Sequence, residues 1–236
     1  FDIASDPRGG VELVVTEAPF AGGPERLVYH SQTYVLGVGC ARNAPVEELR
    51  SSVEAMLRDA GIAPGAIAAI ATLDLKADEP AVNALARAFG VPLKLFTAAE
   101  LEEMTPRLAN PSDVVFAEVG CHGVAEAASL ASAGEDAVLS AEKRKTANTT
   151  CALAKAPSPI AEPFGRARGN LSIIGIGPGQ ATWRTPEASR LIQEAEELVG
   201  YGLYIDLLGP LAAGKTRSDF PLGGEEDRCR YALEQA

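Results

Sequence analysis

Apolar positions recur along this chain with two alternating periods, and that alternation supplies the first structural reading. YVLGV at residues 34–38 is a short continuous apolar run closed by Gly39, the pattern of a parallel strand buried on both faces. A helix is predicted directly after it. Val46, Leu49, Val53, Met56, Leu57 and Ala60 recur at three and four residues and form one stripe. Asn43 is placed to cap this helix, Pro45 suits its first turn, Glu47 and Glu48 complement the positive end of its dipole, and Gly61 ends it. The pattern continues with a strand over 66–72, a helix over 80–89 closed by Gly90, a strand over 91–96 and a short helix over 98–104. A strand over 113–119, a helix over 124–131 and strands near 137–139 and 149–153 complete it. Such alternation predicts an α/β fold, an open sheet with helices on both faces.

Turn-forming residues then divide the chain. VELVVT at 11–16 reads as a strand, and a Pro/Gly-rich stretch over 18–24 separates it from the main domain, so residues 1–26 are expected to be the tail of a preceding domain. Residues 27–156 form the main domain. APSPIAEP at 156–163 carries three prolines and predicts an extended linker over 157–169. Residues 170–236 read as the first part of a second α/β domain, with a strand over 171–176, a helix over 186–199, a second strand opening within 201–208 and a last helix over 225–235. The chain starts at Phe1 rather than Met and stops inside that helix, so both ends are expected to be cut.

Composition narrows the function classes. Apolar residues make up 47% of the chain, which suits a globular protein. With 32 acidic against 21 basic residues the net charge is −11, which argues against broad nucleic-acid binding, because that requires a basic surface. An anionic ligand must therefore meet a local basic cluster. No apolar run reaches the length needed to cross a bilayer, roughly 20 residues. Cys40, Cys121, Cys151 and Cys229 show no paired spacing, and a reducing cytoplasm is the simplest compartment.

Several side chains could supply such a cluster. Arg42, Lys76 and the run Lys143-Arg144-Lys145 each follow or flank a predicted strand, so they could converge on one sheet edge and bind carboxylates. The alternative is a solvated charged face. Asp74, Asp78 and Glu79 surround Lys76; one of these carboxylates could act as a general base, or Asp78 and Glu79 could cap the helix that starts at Pro80. Cys40, Cys121 and His122 follow predicted strands, but without a paired motif no metal site is assigned. GIGPG at 175–179 sits at a strand end, yet Gln180 stands where a dinucleotide fingerprint requires glycine. GPLAAGKT at 209–216 matches a phosphate-loop spacing formally; Pro210 interrupts it and no helix clearly follows, so it reads as a chance match.

Five motifs of the main domain occur in order: LGVGCAR at 36–42, LDLKADEP at 73–80, GVAEAA at 123–128, KRKTAN at 143–148 and TCALA at 150–154. Together they resemble the C-terminal domain of the cobalt-precorrin-5A hydrolase family over residues 35–156. That resemblance implies opening of a δ-lactone on a contracted tetrapyrrole with release of a two-carbon fragment as acetaldehyde. Arg42, Asp74, Lys76, Glu79, Lys143 and Lys145 are then the candidate substrate-binding residues, with no catalytic residue assigned. GIGPG, TPEA at 185–188 and LVGYGLYID at 198–206 resemble the opening of the tetrapyrrole methyltransferases, most closely precorrin-3B C(17)-methyltransferase. This second resemblance implies S-adenosyl-L-methionine as cofactor beside Gly175, Gly177, Pro178 and Gly179. The family's later GDxG loop lies beyond Ala236, so this segment alone is not expected to methylate. The expected function is cobalamin (corrin ring) biosynthesis by a fusion of the two types, acting on a precorrin or cobalt-precorrin intermediate. A non-catalytic tetrapyrrole-binding module is the rival reading. No nucleic-acid or membrane partner is expected, and a homodimer is a possible assembly.

Overall fold

The computed structural model describes residues 12–236. Val11 and the first ten residues of the expected tail lie outside that range. The chain forms two compact units that divide between Arg168 and Gly169.

In the first unit β1 (Glu12–Thr16) and β2 (Arg26–His30) pair as a parallel two-stranded ribbon. The main sheet has six strands. β3 (Tyr34–Cys40), β4 (Ile67–Leu73) and β5 (Leu93–Phe96) are parallel and adjacent. The helices α1 (Val46–Ala60) and α2 (Pro80–Phe89) connect them, each closed by a left-handed glycine, Gly61 at φ 67° and Gly90 at φ 65°. After β5 come α3 (Ala98–Glu102), α4 (Asp113–Val119) and α5 (Ala125–Ala133). The chain then returns to the opposite side of β3 as the antiparallel pair β6 (Val138–Lys145) and β7 (Thr149–Lys155), while the short β8 (Arg166–Ala167) borders β5. The spatial order is β6-β7-β3-β4-β5-β8.

Both faces of this sheet are covered, so the strands read as apolar runs rather than alternations. All seven residues of β4 are buried. On one face Leu49, Val53, Met56, Val82 and Leu85 of α1 and α2 pack with Leu36, Val38, Ile67, Ile70 and Leu153. On the other, Ala127, Ala128 and Leu130 of α5 pack with Val35, Ala69, Ala71 and Ala154. The small residues of α5 let the helix lie directly on the backbone of β3. The expected class, an open α/β sheet with helices on both faces, is the observed one.

Five expectations are corrected. Residues 113–119 form the helix α4, not a strand: the Ser112 hydroxyl caps it by accepting the Val115 N–H, Gly120 at φ 81° closes it, and Val114 and Phe116 are exposed. Local capping decided this short segment, because the sheet offers it no neighbour. Asn43 does not cap α1; it stands at φ 56° and its backbone N–H donates instead to a carboxylate 36 positions away. Residues 171–176 form no strand, since no neighbouring strand pairs with them, and Ile173 is exposed. The helix expected over 186–199 stops at Glu194, and the strand expected within 201–208 is instead helical over most of its length.

The second unit contains α6 (Pro186–Glu194), β9 (Glu197–Tyr201), α7 (Gly202–Asp206), β10 (Thr216–Phe220) and α8 (Glu225–Gln235). β9 and β10 form a parallel pair. That pairing takes residues 197–199 from the helix predicted there, a tertiary override of local periodicity. Ile192, Leu198, Ile205 and Leu208 make its small core. No helix among the described residues is long and apolar enough to cross a membrane.

Candidate functional site

The carboxyl ends of parallel strands are where α/β sheets bind ligands, and Arg42, Lys76 and Glu79 of the candidate side chains gather there. Arg42, Asn43, Leu75, Asp78, Glu79 and Pro80 line an open depression of about 350 Å³ beyond β3 and β4. Glu79 occupies the N-cap position of α2, yet its side chain caps nothing. Its Oε2 accepts the Asn43 N–H at 2.9 Å, and Lys76 Nζ stands 3.7 Å from its Oε1. A buried carboxylate is thus fixed between a backbone donor and an ammonium. Asn43 adopts the left-handed conformation, φ 56°, in the loop that lines the depression, a small backbone strain. Burial pushes the Cys40 thiol up, Glu79 adds to that shift and Lys76 opposes it, so the thiol stays protonated at the end of β3.

The remaining candidates separate. Asp74 turns toward Arg166 at 3.2 Å and Asp78 toward Arg168 at 2.9 Å. The basic run does not flank β6 but lies within it, so its side chains diverge. Lys143 Nζ donates to the Asn110 carbonyl at 2.8 Å, Arg144 pairs with Asp59 of α1, and Lys145 is exposed opposite Thr150. Thr150 donates to the Gly39 carbonyl, so β7 stands between Lys145 and β3. Glu48 clamps the β6–β7 turn, accepting the Thr146 hydroxyl at 2.6 Å and both the backbone N–H and side-chain amide of Asn148 at 2.8 Å. Those hydrogen bonds hold its carboxyl below the ordinary range.

Two carboxylates escaped the sequence reading. Glu126, in the first turn of α5, is buried and accepts the backbone N–H groups of Ala109, Asn110 and Lys143 together with the Asn110 side-chain amide. Burial raises its pKa, but these donors outweigh burial and leave it below the usual range. Glu102, at the end of α3, accepts from His122. Both contacts bridge long loops, so no spacing rule announces them. Among the described residues no group of three His, Cys, Asp or Glu is arranged to hold a metal ion.

In the second unit Gly177 and Gly179 have positive φ, 60° and 99°. A Cβ on Gly179 would meet Leu207 at 2.7 Å, whereas one on Gly175 would meet open space. Pro178 lies between the two left-handed glycines and is exposed. The phosphate-loop match is a coincidence of spacing: β10 rather than a helix follows it, and Lys215 Nζ donates to the Gln193 and Ala195 carbonyls at the end of α6.

Residues 34–154 match the family model described as "Cobalamin synthesis G C-terminus", a range that takes in the main sheet apart from β8 and the last residue of β7. The chain belongs to this family. A relative within its reach is the protein CobE of Sinorhizobium sp, 52% identical over 120 residues, 51% of this chain and 78% of CobE. The cobalt-precorrin-5A hydrolase of Priestia megaterium is 28% identical over 131 residues, 56% of this chain and 34% of that enzyme. The cobalamin biosynthesis protein CbiHC of Archaeoglobus fulgidus is 43% identical over 70 residues, 30% of this chain and 16% of CbiHC. The chain therefore spans most of CobE and only a minor part of the two longer relatives.

Proposed function

We propose that the first unit binds a precorrin or cobalt-precorrin intermediate of cobalamin biosynthesis at the carboxyl edge of its sheet and opens a lactone on it. The observation that carries this is that Arg42 and the fixed Glu79, with Lys76 beside it, stand at the carboxyl ends of β3 and β4 within a domain of the cobalamin synthesis G family. A corrin precursor bears several carboxylates, and cationic side chains bind carboxylates by short charge-assisted hydrogen bonds even on a protein of net charge −11. Lys143 contributes by ordering the loop at Asn110, and Asp74 and Asp78 by anchoring the arginines of residues 166–168.

The second unit, on the same reading, is part of a methyltransferase acting on a neighbouring intermediate, and an identity of 39% over 66 residues with the probable cobalt-factor III C(17)-methyltransferase of Salmonella typhimurium supports it. Its cofactor would be S-adenosyl-L-methionine, which supplies the methyl group. Gly175, exposed and with open space where a Cβ would stand, fits a backbone approached closely by a ligand; Gly177, Pro178 and Gly179 shape that loop.

Titration of the full chain with a cobalt-precorrin, followed by absorbance, tests the site. Lys76→Ala is expected to weaken binding by about tenfold, the loss of one charge-assisted contact, while Arg58→Ala on the exposed face of α1 changes it less than twofold. Equal affinities for both variants and the unaltered chain would remove the basis for this site.

A further inference from the structure

We propose that His122, held by Glu102, is the general base of this domain and takes the proton from the water that opens the tetrapyrrole lactone. The inference rests on the reading of the first unit as a corrin-lactone site and adds the group that performs the chemistry.

Topology brings His122 to that site. From β3 the chain leaves through Arg42 and α1 on one face; it returns through α5 on the other face to reach the far side of β3. The carboxyl end of β3 is thus the switch point, where segments departing on opposite faces open a crevice. Val124, at the start of α5, lies against this strand end: a Cβ on Gly39 would stand 3.6 Å from its side chain. His122 precedes Val124 by two positions, Arg42 follows Cys40 by two, and β7 starts opposite Cys40 at Thr149. The segments that carry the imidazole and the guanidinium therefore both start from this strand end.

Local geometry prepares the imidazole for proton transfer. Its Nδ1 lies 2.9 and 3.0 Å from the two Glu102 oxygens, and the backbone N–H of His122 also donates to Glu102 at 2.9 Å. The Thr105 hydroxyl donates to the same carboxylate at 3.0 Å. Burial raises the Glu102 pKa, but the donors at His122 and Thr105 outweigh it and keep the group ionised. An ionised carboxylate only accepts, so Nδ1 carries a hydrogen, and in the neutral imidazole the lone pair is then on Nε2. Phe116 stacks on the ring with centroids 4.5 Å apart and planes 25° from parallel, which fixes its orientation. Asp113 Oδ1 lies 3.4 Å from Nε2 on a fully exposed side chain, placed to stabilise the imidazolium once it forms. The chain's other histidine, His30, has no such partner; its Nδ1 faces the Thr16 carbonyl at 3.2 Å.

The step balances with water alone. Nε2 takes one proton of a water as its oxygen bonds to the lactone carbonyl carbon; the ring C–O bond breaks; Nε2 returns the proton to the departing ring oxygen. The product is a hydroxy acid, and the imidazole is neutral again. Glu102 acts through His122 and is a positioning residue.

The test uses the full chain and a cobalt-precorrin bearing the δ-lactone, with ring opening read by mass, as the gain of one water and the loss of the two-carbon fragment as acetaldehyde that follows it, and affinity read by absorbance titration. His122→Asn should lower kcat by about 10²- to 10⁴-fold with affinity unchanged. Glu102→Gln should lower kcat by about tenfold or more at constant KM, and Glu102→Asp should recover part of the loss. His30→Asn should turn over as the unaltered chain does. Turnover by His122→Asn at the unaltered rate overturns the proposal, as does a chain that binds the lactone and leaves it closed. Failure of the unaltered chain to bind at all overturns the corrin-site reading itself, and the base with it.

Discussion

Gly37→Ala lowers the unfolding free energy by about 3 kcal/mol or more, because the added methyl group has no place to go. A Cβ at this position would stand 1.8 Å from the Ala125 carbonyl oxygen and 2.8 Å from the Ser129 backbone nitrogen. Both neighbours are backbone of α5, so no side-chain rotation relieves the contact. The helix would have to lift from β3, separating Ala127, Ala128 and Leu130 from Val35 and Ala154. Urea unfolding followed by circular dichroism should show a fall in the midpoint. Gly61→Ala provides the contrast: its φ of 67° disfavours a side chain, but the space there is open, so the cost should be about 1–2 kcal/mol. A Gly37→Ala chain as stable as the Gly61→Ala chain would mean that α5 does not lie directly against β3.

Glu126→Ala should cost about 3 kcal/mol, through a different mechanism. One carboxylate satisfies three backbone N–H groups and an amide across α5, the 105–112 loop and β6, and its removal leaves all of them to be met by entering water. The effect depends on pH. The folded-state pKa lies below the unfolded value, so the stabilisation is fully present above the ordinary glutamate range. It is lost as pH falls from about 4.5 through the folded-state value. Thermal melts of the unaltered chain should therefore lose stability over that interval more steeply than melts of Glu126→Ala, whose curve should be flatter. Parallel curves for the two proteins would show that this carboxylate is not held in its ionised form by the fold. Because Asn110 also receives Lys143, loosening this knot should disorder the loop that leads to His122.

How much of this was legible beforehand depended on whether the determinant was local. The run at 34–38 and the stripe on α1 carried their own periodicities, and the helix-ending glycines at 61 and 90 were readable because a left-handed terminus is a property of a few adjacent residues. Residues 113–119 misled for the same reason in reverse: a short apolar run supports strand and helix alike, and here a serine cap and a glycine stop settled it. Residues 171–176 had a strand's composition but no neighbour to pair with. Among the candidate site residues, Arg42, Lys76 and Glu79 came together as their positions after strands suggested. The lysine run did not, since neighbouring side chains on a strand point to opposite faces and only a flanking loop could have aimed all three at one ligand.

The sequence by itself determined the class of fold, the positions of the parallel strands β3, β4 and β5, and the family, because apolar periodicity, turn glycines and ordered motifs are written in consecutive residues. Only the tertiary structure decided which polar groups face one another. The Asn43 N–H meets Glu79 across 36 positions, Glu102 meets His122 across 20, and Glu126 gathers donors from a loop and a strand. These pairings result from the crossing of the chain over both faces of the sheet at β3, and a side chain's partner across such a crossing is set by packing, on which local spacing is silent.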